Sequence, residues 1–69
     1  MAITYKKLWI LLIEKGLKKT DLKGLCKIGP TTLAKLSKNE TVSMEVLQRI
    51  CQALDCNIGD IVDYIPERK

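Results

Sequence analysis

The sequence predicts an all-α fold, a compact domain of five short helices, and three observations support this prediction. Apolar residues recur at spacings of three and four along most of the chain, which is the period of an amphipathic helix. Residues that favour helix ends, among them Thr4, Gly16, Pro30 and Ser43, separate these stretches. The length of 69 residues and the hydrophobic content of 46% suit one small core, so we expect a single domain over residues 1–69.

The first predicted helix begins after a capping Thr4, runs to about Lys15 and is stopped by Gly16. The apolar run 9–13 would also suit a buried strand. The capping and stop residues on either side favour a helix over a strand that has no partner. The inward positions of this helix are Leu8, Leu11 and Leu12.

The second and third predicted helices meet across a tight break within residues 19–38, which predicts a helix-turn-helix. Gly29 supplies a permissive backbone before Pro30, and proline suits the first position of a helix because its missing N–H would have had no partner there. Asn39 follows the third helix and tolerates the left-handed conformation at a helix end. The inward positions are Leu22 and Cys26 on the second helix, Leu33 and Leu36 on the third, and Ile28 at the corner between them.

The fourth and fifth predicted helices occupy the rest of the chain, and no sheet is predicted. Ser43 caps the fourth helix, whose inward positions are Leu47, Ile50, Cys51 and Leu54. Asn57 begins the fifth, with Asp60 three residues further on, Pro66 at its end, and Ile58, Ile61, Val62 and Ile65 at its inward positions. The expected core comprises Leu8, Leu12, Leu22, Ile28, Leu33, Leu36, Leu47, Ile50, Leu54, Ile61 and Val62.

The positive charge is concentrated on the predicted helix-turn-helix. The whole chain has a net charge of +4, but residues 15–38 carry seven lysines and only Asp21, a net charge of +6, whereas residues 39–69 carry −3. A solvated lysine-rich face is the ordinary explanation for such a surface. Here the charge coincides with an independent geometric motif, and neutralising phosphates supplies most sequence-independent DNA affinity. We therefore favour double-stranded DNA as the partner.

The composition argues against several other classes of protein. The chain contains no histidine, the commonest general base and metal ligand, so we expect no enzymatic activity and no cofactor. Its three cysteines lie at core spacing without a fourth zinc ligand, so no metal site and no small-molecule ligand are expected. The apolar run 9–13 is too short for a membrane span or a signal peptide, and a cytoplasmic location is expected.

The pattern of Leu17, Leu22, Cys26, Ile28, Leu33 and Leu36, followed by TVSMEVLQRICQALDC, resembles the Cro/lambda-repressor (XRE) class of helix-turn-helix regulators. The resemblance covers roughly residues 5–65 and implies a lambda-repressor-like domain whose third helix lies in the major groove of DNA. This sequence departs from the family at three positions. Pro30 stands where a base-reading side chain is frequent, Lys27 where the turn frequently has glycine, and Lys18 where a capping threonine is usual.

The resemblance and the charges together predict which residues contact DNA. Base edges are assigned to the outward positions of the third helix, Thr31, Lys35, Ala34 and Pro30. Phosphates are assigned to Lys18, Lys19, Lys23, Lys27, Thr32 and Lys38. Lys18 and Lys19 oppose the dipole of the second helix, a conflict that a bound phosphate would resolve.

The preferred function is a sequence-specific DNA-binding transcriptional regulator that acts by occupying an operator, as a repressor does. A homodimer is expected, because one short recognition helix rarely specifies a site alone. The alternative is a protein-interaction module on the same fold, such as an anti-activator or antitoxin-like partner, which would bind through Trp9, Ile10, Ile13 and the acidic C-terminal helix. Pro30 supports this alternative, whereas the lysines around one motif favour DNA.

Overall fold

The computed structural model of the protein describes residues 2–66. They form α1 (Lys6–Glu14), α2 (Asp21–Cys26), α3 (Pro30–Ser37) and α4 (Met44–Leu54), followed by one turn of 3₁₀ helix (Ile58–Asp60). Two short strands, β1 (Ala2–Thr4) and β2 (Asp63–Ile65), pair antiparallel. The expectation of five helices and no sheet is therefore wrong in part, since the described residues form four α-helices and a small two-stranded sheet.

The predicted fifth helix stops after a single turn. Its capping residues act as expected, because the Asn57 amide donates to the Asp60 carboxylate at 3.0 Å. The backbone then leaves the helical conformation, and Asp63–Ile65 pairs with β1 so that Ala2 lies opposite Ile65. Isoleucine, valine and tyrosine suit strands at least as well as helices. Apolar spacing alone does not reveal that a partner strand lies at the other end of the chain.

Several predicted helix ends are confirmed. α3 begins at Pro30 after an extended Gly29, and the Ser43 hydroxyl accepts a hydrogen bond from the Val46 amide at 3.2 Å at the start of α4. Gly16 has φ +71° and Asn39 has φ 58°, the left-handed conformation expected where α1 and α3 end. These positions depend on the local chemistry of one or two residues, so the sequence is sufficient to predict them.

The first two helices begin later than predicted. Thr4 lies in β1 and Tyr5 precedes α1, although the Thr4 hydroxyl still accepts a hydrogen bond from the Lys6 amide at 3.2 Å. α2 begins at Asp21, preceded by a tight turn in which the Asp21 amide donates to the Lys18 carbonyl at 3.0 Å. Lys18 and Lys19 therefore precede α2 instead of forming its first turn.

The core contains most of the predicted residues and also Tyr5, which the apolar spacing does not predict. Tyr5 is only 1% exposed, its hydroxyl donates to the Glu40 carbonyl at 2.7 Å, and its amide donates to the Asn39 side chain at 3.1 Å. Burial raises the pKa of the Tyr5 phenol, which a hydrogen bond with the Val42 backbone partly opposes. Tyr5 thus connects the start of α1 to the residues that follow α3 through two hydrogen bonds. The buried apolar set is Tyr5, Leu8, Leu12, Leu22, Cys26, Ile28, Leu36, Leu47, Ile50, Leu54 and Ile61.

Two predicted core residues lie at the edge of the core. Leu33 and Val62 are half-buried and pack against the buried set without belonging to it. Leu33 follows Pro30 by one turn, close to the end of α3 that meets the exposed turn. Among the residues that the structure describes, no helix is long and apolar enough to cross a membrane.

Candidate nucleic-acid interface

The outward face of α3 contains the residues predicted to read bases. Pro30, Thr31, Ala34 and Lys35 are all exposed, whereas Leu36 is fully buried. Each residue of an α-helix is rotated by about 100° about the helix axis relative to the one before it. These four side chains therefore lie within an arc of roughly 140° on the side away from the core. The structure therefore brings the predicted base-reading residues together on one accessible helix face.

The predicted phosphate-binding residues lie before, on and after α2, on α3 and directly after α3. Lys18 and Lys19 lie in the turn before α2, Lys23 lies on α2, and Lys27 and Lys38 occupy the positions that follow α2 and α3. All five lysines are exposed. Thr32 is different, because it is half-buried at the border between the exposed face of α3 and the core. Its assignment to phosphate therefore has less geometric support than that of the lysines.

The turn between α2 and α3 contains a lysine in an unfavourable backbone conformation. Lys27 has φ 54° and ψ 44°, the left-handed region in which a side chain crowds the following carbonyl. The carbonyl of Lys27 accepts a hydrogen bond from Arg49 Nη1 at 3.5 Å, and Arg49 Nη2 forms an ion pair with Glu45 at 3.1 Å. α4 therefore supports the turn through Arg49.

Arg49 was not among the residues predicted for the site. Glu45, four residues earlier on α4, indicates an ion pair along one helix face, since residues four apart are neighbours there. That spacing does not reveal the contact with Lys27, because the contact joins α4 to a turn 22 residues earlier in the chain. The exposed ion pair itself contributes little stability, so the hydrogen bond from Arg49 to the Lys27 carbonyl is the contact that supports the turn.

The two lysines before α2 have local partners. The Lys18 amide donates to Asp21 Oδ2 at 2.8 Å, which places a carboxylate in the first turn of α2, where it interacts favourably with the helix dipole. The Lys19 ammonium lies 4.4 Å from the centroid of the Trp9 ring. The predicted conflict between these lysines and the helix dipole is thus partly offset by the Asp21 carboxylate. The sequence does not reveal the contact between Trp9 and Lys19, because the contact crosses the connection between α1 and α2.

The cysteines do not form a metal site in the part of the chain that the structure describes. No group of three or more histidine, cysteine, aspartate or glutamate residues is placed there to hold a metal ion. All three thiols are free, with Cys26 buried and Cys51 and Cys56 half-buried. Burial, followed by the neighbouring Cys51 and Asp60, raises the pKa of the Cys56 thiol from 9.0 to about 11, while Lys15 opposes the change. Cys56 is therefore protonated near neutral pH and is a weak nucleophile.

Comparison with known proteins agrees with this geometry. The family model of the Cro/C1-type HTH DNA-binding domain matches residues 7–67. The chain belongs to this family. The family assignment confirms the resemblance inferred from the apolar spacing and makes the protein a helix-turn-helix DNA-binding domain, a class defined by binding and not by catalysis.

A solved structure is similar to this member of the Cro/C1-type family over nearly its whole length. It is the crystal structure of the transcriptional regulator VanUg (Form II), which shares 45% sequence identity and superposes with a TM-score of 0.91. The match covers 96% of this chain and 88% of the VanUg chain. A search of curated proteins found no match.

Proposed function

We propose that the protein is a sequence-specific transcriptional regulator that binds double-stranded DNA through α3 and acts by occupying an operator. The observation that carries the proposal is the exposed face of α3, where Thr31, Ala34 and Lys35 lie opposite the buried Leu36 and are flanked by exposed lysines. A helix of this kind enters the major groove and reads base edges there. The similarity to the regulator VanUg supports the regulatory role.

The side chains on this face divide into two groups by the contacts they can make. Thr31 presents a methyl group and a hydroxyl, which suit a thymine methyl or a polar base edge, and Lys35 reaches guanine acceptors. Lys19 before α2, Lys23 on α2 and Lys38 directly after α3 are exposed and suit phosphates. Pro30 contributes van der Waals contact only, because it has neither a backbone N–H nor a polar side chain. Base recognition therefore depends mainly on Thr31 and Lys35.

The experiment that tests this division compares Lys35→Ala with Lys19→Ala. A duplex selected from random sequences serves as the operator, and affinities are measured on this duplex and on random DNA over a range of salt concentrations. Lys35→Ala should cost about 1–3 kcal/mol on the selected duplex and much less on random DNA. Lys19→Ala should weaken binding evenly on both and reduce the log–log salt slope by roughly one unit.

The outcomes of this comparison separate the candidate functions. Uniform losses in both variants would show that the protein recognises charge or shape alone. No loss in either variant would favour the protein-interaction module, for which the exposed Ile10 and Ile13 are the supporting observation, at 46% and 75% exposure. The acidic C-terminal helix once expected to serve that module is instead the 3₁₀ turn and β2.

A homodimer remains part of the proposal. Ile13 on α1 and Tyr64 and Ile65 on β2 are more than half exposed, which provides apolar area for an interface between two copies. Two recognition helices related by a twofold axis would meet half-sites roughly 34 Å apart. Sedimentation should show a dimer in the presence of a palindromic duplex, and a monomer at every concentration, free and bound, would contradict this.

A further inference from the structure

Trp9 and Lys19 form a contact that the DNA-reading face of α3 does not include. Lys19 Nζ lies 4.4 Å from the centroid of the Trp9 ring. Trp9 belongs to α1 and packs, half-buried, against the core, whereas Lys19 is exposed in the turn before α2. The contact therefore joins an aromatic ring that is held by packing to a solvent-exposed cation.

The geometry is that of a cation–π interaction, because a cation within about 6 Å of an aromatic centroid is attracted to the electron-rich ring face, and tryptophan attracts it most strongly. A lysine side chain has a flexible four-carbon stem and samples many rotamers in solvent. Contact with the ring of Trp9 restricts the ammonium group of Lys19 to a small region. The N–H groups that do not point at the ring remain available to an anion.

We propose that Trp9 is a positioning residue that holds the Lys19 ammonium where a DNA backbone phosphate meets it. The assignment rests on the proposed DNA-binding function and adds to it a residue of α1, outside the helix-turn-helix. A group that is already positioned loses less entropy when it binds. Phosphate contacts carry no sequence information, so Trp9 affects binding to every duplex alike.

The test is a double-substitution cycle measured on a fluorescently labelled duplex of random sequence, by anisotropy. Trp9→Leu, Lys19→Ala and the double variant form the cycle. A matched set replaces Lys19→Ala with Lys23→Ala, since Lys23 is also an exposed lysine but lies on α2 itself. Urea titration of each variant gives its folded fraction, so that every affinity refers to folded protein.

Trp9→Leu should weaken binding about two- to five-fold, the range that an exposed cation–π contact supports. The same loss should occur in the Lys23→Ala background and should nearly vanish in the Lys19→Ala background. Trp9→Phe retains a smaller aromatic ring and should lose less affinity than Trp9→Leu. This variant also keeps the test informative if the leucine variant does not fold.

Equal losses in all three backgrounds, or tighter binding by Trp9→Leu, would overturn the assignment of Trp9 while leaving the proposed function in place. Failure of the unmodified protein to bind any duplex would overturn the proposed function and the phosphate contact with it. The contact itself has an independent measure, because the ring current of Trp9 shifts the NMR signals of the Lys19 ε-methylene protons upfield. A shift that persists in Trp9→Leu would overturn the contact.

Discussion

The left-handed lysine in the turn between α2 and α3 makes Lys27→Gly a stabilising substitution. At φ 54° the Cβ of Lys27 crowds the following carbonyl, which costs roughly 1–2 kcal/mol. Glycine removes that crowding but loses about 0.5–1 kcal/mol more backbone entropy on folding. The net gain is therefore about 0–1.5 kcal/mol, and its central value of about 0.75 kcal/mol corresponds to a rise in Tm of roughly 3–6 °C for a domain of this size.

Two control substitutions distinguish backbone strain from loss of charge. Lys27→Ala removes the same charge but keeps a Cβ in the left-handed conformation, so its Tm should not rise. Lys23→Gly introduces the same residue inside α2, where glycine costs about 1 kcal/mol relative to alanine, so its Tm should fall. Thermal unfolding followed by circular dichroism measures all three. A Tm for Lys27→Gly at or below that of Lys27→Ala would refute the reasoning.

Four further substitutions test the core and two ionisable side chains, Tyr5 and Cys56, by urea titration. Leu36→Ala, at a fully buried position, should lower the free energy of unfolding by about 2–5 kcal/mol, and Leu33→Ala, at a half-buried position, should lower it by less. Equal losses in the two variants would contradict the observed packing. Tyr5→Phe removes the hydrogen bond to the Glu40 carbonyl and should cost about 1 kcal/mol, whereas an unchanged midpoint would show that the bond is not formed. Because the pKa of the Cys56 thiol is raised from 9.0 to about 11, its contribution to the free energy of unfolding is complete below pH 9 and is lost as the pH rises through 11. The free energy of unfolding of Cys56→Ala should therefore fall less steeply between pH 9 and pH 11 than that of the unmodified protein. Identical slopes for the two proteins would contradict the raised pKa.

The features that the sequence predicts correctly are those that depend on neighbours in the chain. Pro30 starts α3, Ser43 caps α4, and Asn39 adopts the left-handed conformation because their own chemistry favours those roles. The exposed face of α3 follows from the spacing of Leu33 and Leu36 in the same way. The local sequence therefore suffices for the helix-turn-helix and for the side chains that this motif exposes.

The features that the sequence does not reveal depend on contacts between distant residues. The spacing of Ile58, Ile61 and Ile65 fits a helix, yet β2 forms because β1 is available to pair with it. Tyr5 can be buried because its hydroxyl donates a hydrogen bond to the carbonyl of Glu40, which lies 35 residues later in the sequence. The residues near β2 and near Tyr5 in the sequence give no indication of these distant partners. The contacts of Trp9 and Arg49 escape prediction for the same reason, since each joins a helix to a turn elsewhere in the chain.

The pairing of β1 with β2 also determines where fused segments emerge. Because Ala2 lies opposite Ile65 in an antiparallel pair, the polypeptide enters and leaves the domain at the same end of a two-stranded ribbon. A domain attached before residue 2 or after residue 66 therefore emerges from the same edge of the molecule. The two ends can therefore be joined by a short linker in a circular permutant at little cost in loop entropy.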